Sequence, residues 1–381
     1  MYTLQDVAAL AGCSQASVSR VMNGTAGVSN TLAEQVRNAL SELEVQSKAE
    51  SPDLRPRRGR PRGSLSLSNT LDVILYRNET FEPIGSTPEG LDISDAESFD
   101  EDSLRAPRLR LSMDFYRNIL YGISSEISRI GLKMNLIFCR NLADGKLIAQ
   151  IRKSRHRGIL LFGTPSPTET GLIRKIGLPI VLVDVPTSEN VPVVTIDNIG
   201  GIASIVKHLK DLGHRRIGFS GNDDNPCFRI RHIAFCGEMT RYGLSIAEDY
   251  SLLCADTMAK QIEEWMKVLS GPNPPTAIVC VNDNYAIAVV MAAQKLGLRI
   301  PEDISVTGFD NIEASERLRP SLTTVNVPTA EIGACAANLL LNLTGSPSDS
   351  LLWEQCEIRF RTSLVIRAST GPARTEPPLA R

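Results

Sequence analysis

Two rhythms of apolar and polar residues divide this chain. From Leu71 onward, short apolar runs alternate with stretches of helical spacing. LDVILY (71–76), KMNLIF (133–138), GILLF (158–162), PIVLVD (179–184) and VVTI (193–196) read as strands, as do RIGFS (216–220), TAIVCV (276–281) and ISVTGF (304–309). Residues 115–130, 199–212, 229–242, 283–296 and 329–343 read as helices between them. This alternation predicts a doubly wound α/β architecture with parallel sheets. Roughly 300 residues of it exceed one ordinary domain, so two sheets with a cleft between them are expected. Ligands in such folds sit at the C-terminal ends of strands.

The first 45 residues keep a different rhythm. Leu4, Val7, Ala8 and Ala11 fall at helical spacing after a Thr3 cap, and Gly12 ends the helix where positive φ is easily tolerated. Ser14 can cap a second helix, Gln15 to Met22, with Val18, Val21 and Met22 facing inward. A third helix carries the stripe Leu32, Val36, Ala39, Leu40 and Leu43. Two short helices joined by a tight turn and covered by a third predict a helix-turn-helix. The outer face of the second helix is Gln15, Ala16, Ser17, Ser19 and Arg20, which suits a major groove. Arginine makes bidentate contacts to guanine or binds phosphate, and Asn23 can donate to phosphates.

Charge sharpens this picture. The 381 residues carry a net charge of −2, which by itself names no partner. The distribution does more. Five arginines crowd Arg55 to Arg62, in RPRRGRPR, while residues 79–102 hold nine Asp/Glu and no Lys/Arg. That acidic segment, within an insertion over 78–112, cannot bury much apolar surface. It is expected to be either an inert surface insertion or a lid or partner-binding loop. The eight cysteines form no CxxC pair and no Cys/His cluster, so reduced thiols in a cytosol are expected, with no metal site. No signal peptide and no membrane-spanning apolar run is evident, and a cytoplasmic protein is expected.

Candidate chemistry gathers after strand ends. Arg231 lies on the helix after RIGFS, Asn282 and Asp283 follow TAIVCV, and Asp310 follows ISVTGF. An arginine fork, a carboxylate and an amide suit paired hydroxyls of a sugar or the edge of a base. Asp283 can instead cap the next helix. Asp184 and Asp197 read as strand-end or crossing groups, and His208 and His214 as helix-surface and helix-end residues. No Ser/His/Asp set, paired carboxylates or phosphate-binding glycine loop is present, so no enzyme and no cofactor are expected.

The opening TLQDVAALAGCSQASVSRVMNG closely resembles the DNA-binding domain of the lactose/galactose repressor (LacI/GalR) family. LPIVLVDVP, IDNIGG, HLKDLGHRRIGFSG, AIVCVNDNYAIA, PEDISVTGFDN and LTTVNVPTAEIGACAANLLL resemble that family's later landmarks in order. The resemblance implies base readout by Gln15, Ala16 and Arg20, with Ser14, Ser19 and Asn23 on phosphates. It implies a periplasmic-binding-protein-like core of two subdomains, crossed near Ile196, Val327 and Trp353. In that core, Arg231 of R-x-x-x-F, Asn282 and Asp310 match effector-contacting positions. Phe115 and Tyr116 match an aromatic pair at the start of the first core helix. Leu32-Ala33 replaces the family's Thr-Arg, and a cleft aromatic expected after strand 250–255 is missing, with Thr257 or Met258 near its place.

Where the family has a short hinge helix, this chain has the arginine stretch. Arg58-Gly59-Arg60-Pro61 resembles an AT-hook, an extended segment that lies in the A·T minor groove, so Arg58 and Arg60 join the candidate DNA contacts. The alternative is a solvated basic linker. The expected organisation is a DNA-binding domain (1–45), a basic linker (46–69), an effector-binding and dimerisation core (70–368) and a tail (369–381). Within the core, subdomain 1 takes 70–196 and 327–353, and subdomain 2 takes 197–326 and 354–368. The expected function is a homodimeric regulator, a repressor rather than an activator. It would bind double-stranded operator DNA under control of a sugar-like or nucleoside-like small molecule. A cleft answering to a protein partner, and a solute receptor without a DNA role, are the alternatives.

Overall fold

The computed structural model describes residues 10–14, 31, 35–36, 39, 68–76, 110–139, 141–186, 191–223, 225–247, 250–253, 257–345 and 356–374. The chain divides into two compact units, 1–65 and 66–381. In the first unit Thr31, Gln35, Val36 and Ala39 are helical, and Val36 and Ala39 of the expected stripe are buried. Gly12 has φ +63°, as a residue closing a helix with a left-handed turn requires. Ser14 is exposed. Gln15, Ala16, Ser17, Ser19, Arg20, Asn23, Arg58 and Arg60 lie outside the described residues, as does the acidic insertion up to residue 109.

The second unit begins with β1 (Thr70–Tyr76), α1 (Arg110–Ser128), β2 (Lys133–Cys139), α2 (Gly145–Ser154), β3 (Ile159–Phe162), α3 (Pro167–Arg174), β4 (Ile180–Val183) and β5 (Val193–Ile196). It continues with α4 (Asn198–Asp211), β6 (Ile217–Gly221), α5 (Pro226–Arg241), β7 (Ser251–Leu253), α6 (Met258–Leu269), β8 (Ala277–Cys280), α7 (Asp283–Lys295) and β9 (Ser305–Thr307). α8 (Glu313–Arg317), β10 (Thr324–Asn326), α9 (Thr329–Gly345), β11 (Glu357–Phe360) and β12 (Ser363–Val365) complete it. α1 starts at Arg110, so the helix begins inside what the sequence assigns to the acidic insertion.

Two parallel sheets result. One has six strands in the order β11-β5-β4-β3-β1-β2, the other four in the order β7-β6-β8-β9, and β10 pairs antiparallel with β12. The apolar runs are explained by burial on both faces. In the first sheet Leu71, Val73, Leu75, Leu160, Phe162, Val181 and Val183 face one core, while Ile74, Ile159, Leu161, Ile180 and Leu182 face another, with Leu147 and Ile151 of α2 and Ile173 of α3.

The chain passes between the sheets after Ile196, after Asn326 and after Phe360. The third passage corrects the sequence reading, which puts it near Trp353 and assigns 354–368 wholly to the second subdomain. Glu357–Phe360 instead pairs with β5 in register Glu357↔Val193 to Phe360↔Ile196. Glu357 and Arg359 alternate with Ile358 and Phe360 on this edge strand, so no unbroken apolar run announces it. The passages are tied together: Asp197 N donates to Phe360 O (2.8 Å) and Thr362 Oγ1 to Asp197 O (3.1 Å).

α9 returns to the first sheet and crosses α1 at two glycines. A Cβ on Gly122 would lie 2.0 Å from Ala330 O, and one on Gly333 would lie 2.0 Å from Ile119 O. Each helix backbone therefore rests on the other where only hydrogen fits.

Candidate effector site

Four strand ends supply the site. Asp184 follows β4, Asn222 follows β6, Val281-Asn282 follow β8, and Phe309 and Asp310 come two and three residues after β9. Parallel strands lead every one of these residues to the C-terminal edge, where open α/β sheets bind ligands. Arg231, on α5, is the centre. Its Nε donates to Asn198 Oδ1 (2.7 Å), and its Nη1 donates to Val281 O (2.7 Å) and to Asp310 Oδ1 (3.2 Å). Its guanidinium carbon lies 3.7 Å from the centroid of the Phe309 ring and 5.6 Å from that of Phe228. Arg231 is 2% exposed, and the Asp310 side chain 9%.

The first sheet contributes Asp184. Its backbone carbonyl accepts from Cys227 Sγ on α5 (3.5 Å), so a β4 end and an α5 start meet here. Its Oδ1 is buried with no hydrogen-bond partner. The sequence reading treats Asp184 as a strand-end group; it is one, and its charge also bears on Arg231 and Asp310.

Backbone strain concentrates at Asp184 and at the Asp310–Asn311 turn. Asp184 (φ 57°), Asp310 (φ 105°) and Asn311 (φ 55°) all have positive φ without being glycine. Asp310 N donates to Val325 O (2.9 Å), and Asn311 Nδ2 to Asn326 Oδ1 (2.9 Å). The loop carrying the Arg231 partner is thus fastened to β10, the strand that leads into the second passage between sheets.

Asn282 and Asp283 divide their work differently from either sequence reading. Asn282 caps α7, its Oδ1 accepting from Tyr285 N (3.1 Å). Asp283 is not the cap. It is fully buried and accepts from Ile312 N (2.8 Å) and Thr324 Oγ1 (2.5 Å). Phe115 and Tyr116, half-buried at the start of α1, meet edge-on at 5.4 Å, and Tyr116 meets Phe162 edge-on at 5.9 Å. They pack at the C-terminal end of β3. Thr257 caps α6. Asp197 caps α4 through Gly200 N (2.9 Å). His208 bonds Thr370, and buried His214 donates through Nε2 to Gly371 O (3.0 Å), so both are structural. Asn198, Asn222 and Phe309 escape sequence reasoning. Asn198 could have been found from its place just past the first passage, and Phe309 from its adjacency to Asp310.

Burial dominates the electrostatics. It pushes Asp184 up to about 7, with Arg231 pulling the other way and Asp310 adding repulsion. It pushes Asp310 up to about 6, again opposed by Arg231. Burial likewise holds Asp283 well above the ordinary carboxylate range. The folded Asp184 thus binds its proton more tightly than the unfolded one, whose pKa is about 3.9. Its contribution to stability is complete below that value and is lost as pH rises through about 7. Asp184→Asn is therefore expected to flatten the decline in Tm between pH 5 and pH 8. At pH 8 it should melt roughly 2–4 °C above the wild-type chain for each kcal/mol relieved. Differential scanning fluorimetry across that range checks this; parallel curves for the two proteins would refute it.

A buried arginine fork facing carboxylates lies where two parallel sheets end, the place where open α/β sheets bind ligands, in a chain whose opening residues read as a helix-turn-helix. Comparison with known proteins points the same way. Residues 3–46 match the model for bacterial regulatory proteins of the lacI family, and residues 206–370 match the periplasmic binding protein-like domain. The chain belongs to the lactose/galactose repressor family of bacterial transcriptional regulators. It is 29% identical to the transcriptional repressor CytR of Escherichia coli K12 over 60% of this chain and 68% of that protein. It is 27% identical to the repressor PurR of Pasteurella multocida, over 97% of this chain and 98% of that one. Among solved structures, the CelR–cellobiose complex superposes with a TM-score of 0.64 at 25% identity, covering 97% of this chain and all of that one. The lac repressor dimer bound to operator and an anti-inducer shares the fold at 22% identity, with a TM-score of 0.62 over 97% and 99% of the two chains. Such proteins are DNA-binding regulators and not enzymes.

Proposed function

We propose that this protein is a dimeric repressor whose operator affinity is set by a small molecule held at Arg231. The observation that carries this reading is the Arg231–Asp310 pair, buried among Asn198, Phe309 and Asp184 where the strands of both sheets end. Arg231 and Asp310 supply the polar recognition, Asn282 stands beside them, and Phe115 and Tyr116 supply an aromatic wall. A ligand that prefers one arrangement of the sheets shifts the position of the two heads in a dimer, and so the affinity for DNA. The cellobiose of the CelR complex makes a sugar-like effector the first class to test. In the head, Gln15, Ala16, Ser17 and Arg20 read bases, while Ser14, Ser19 and Asn23 hold phosphates. The test is release of operator DNA by a panel of sugars and nucleosides. At least one compound should release it from the wild-type chain and none from Arg231→Ala; equal release from both would remove the cleft from the account.

The arginine stretch fits the same scheme as a minor-groove contact at the operator centre. Arg58→Ala with Arg60→Ala is expected to weaken binding most on operators with an A·T-rich centre, where the narrow groove concentrates negative potential. Titrating matched operators with A·T and G·C centres measures this. Equal losses on both would leave only a non-specific basic linker.

A further inference from the structure

The end of the first sheet opposite the effector site carries unbalanced charge. Parallel pairing puts the starts of β1, β2 and β3 together there, and α2 and α3 run back to the same end. Lys133 begins β2, Arg152 and Lys153 close α2, Arg155 and Arg157 lead into β3, and Lys175 follows α3. Arg157 is half-buried and the others are exposed. Arg152 Nη2 donates to Lys175 O (3.0 Å) and Arg157 Nη2 to Asn69 Oδ1 (3.2 Å), so these two arms brace the edge. The carboxylates at this end do not answer the cations. Asp72 is buried, accepts from Asn135 Nδ2 (2.7 Å) and meets His156 Nδ1 at 2.8 Å. Glu126 pairs with Arg129 (3.5 Å), and Glu357 with Arg359. Among the described residues, no carboxylate pairs with any of the six cations. Arg155 is the telling one. It caps α2 at φ 54° and ψ 34°, the left-handed conformation that glycine adopts at least cost. Its carbonyl accepts from Ser68 N (2.9 Å), a bond that glycine would make equally well. No hydrogen bond or ion pair among the described residues uses its guanidinium, so the strained position keeps an arginine that the fold does not need. Ser68 ends the stretch by which the chain arrives from the DNA-binding head, so residues 46–67 alone join that head to this face.

We infer that this edge is a second DNA-binding surface, on which Lys133, Lys153 and Arg155 hold the phosphate backbone of the duplex that the head reads. Exposed ammonium groups and a guanidinium fork, spread over strand starts and a helix end, match phosphate oxygens. They enter no groove, so they add affinity without sequence preference. The attraction belongs to this face and not to the molecule, because the whole chain carries a net charge of −2.

This inference rests on the DNA-binding reading of the head, and the test tells the two apart. The full chain is titrated with a random-sequence duplex over a range of salt. Lys133→Gln, Lys153→Gln and Arg155→Gly together should reduce the slope of log affinity against log salt by about 2–3, since each phosphate contact contributes about 0.9. This variant should melt with the wild-type chain, because glycine relieves the left-handed turn at position 155. Lys207→Gln, Lys267→Gln and Lys295→Gln remove the same charge from α4, α6 and α7 beside the second sheet, and should leave the slope unchanged. An unchanged slope in the first variant, or equal losses in both, would overturn the inference and leave DNA binding by the head intact. Binding of the wild-type chain to upstream DNA from its genome but not to the random duplex would do the same. Binding to neither at any salt would overturn both.

Discussion

Arg231→Ala is expected to lower the unfolding free energy by about 3–5 kcal/mol at pH 8, the usual cost of removing one partner from a buried ion pair. The guanidinium is 2% exposed and is the opposing influence on the two raised carboxylates, so its loss leaves Asp310 without its ion-pair partner and Asp184 without its neighbouring cation. The sign of the pH dependence follows. Without Arg231 both pKa values rise further above the unfolded ones, and at pH 5.5 both groups take up protons. The deficit should therefore shrink on acidification and be greatest at pH 8. Arg231→Lys should recover only part of it, because an ammonium cannot serve Asn198, Val281 and Asp310 with a planar fork. Urea unfolding at the two pH values decides the matter. Equal deficits at pH 5.5 and pH 8 would show that the loss is one of packing rather than of charge.

The second large effect lies far from this chemistry. Gly333→Ala should destabilise the core by about 3 kcal/mol or more, since its new Cβ has no room against Ile119 O and the helix backbone must move. The direction is diagnostic. In an exposed helix interior the same change gains up to about 1 kcal/mol. Gly237 on α5, with nothing within 4 Å of a Cβ, is the control and should become slightly more stable as alanine. Gly122→Ala should behave as Gly333→Ala does, and the double variant should cost less than the sum, because α1 and α9 separate once. Additive losses would mean that the two contacts are independent.

Much of this fold was legible because parallel strands covered on both faces must be apolar throughout. LDVILY and VVTI could hardly be anything else. What escaped was amphipathic or half-exposed. α2 turns only Leu147 and Ile151 fully inward, and α6 keeps Gln261 beside Ile262, Trp265 and Leu269. α3 had a readable start, since Ser166 and Glu169 form a capping box around Pro167. β11 and β12 carry no buried run, which is why the third passage was misplaced.

The site divides along the same line. Arg231 and Asp310 could be brought together from the sequence because both follow strands of one sheet, whereas Asn282 is seen capping α7. Nothing in the sequence distinguishes Asp283 from a helix cap, because buried acceptance from Ile312 N and Thr324 Oγ1 depends on residues 29 and 41 positions away. Asn198 and Phe309 complete the arginine's surroundings through contacts of the same long-range kind.

The central claim is that a DNA-reading head is governed by this core, and it stands or falls first on the DNA. The most direct measurement is footprinting of the full chain on upstream DNA from its own genome at several salt concentrations. A protected site with two-fold symmetry is expected, with affinity falling steeply as salt rises and protection abolished by Arg20→Ala. Absence of protection at every salt concentration, or protection that Arg20→Ala leaves unchanged, would contradict the account.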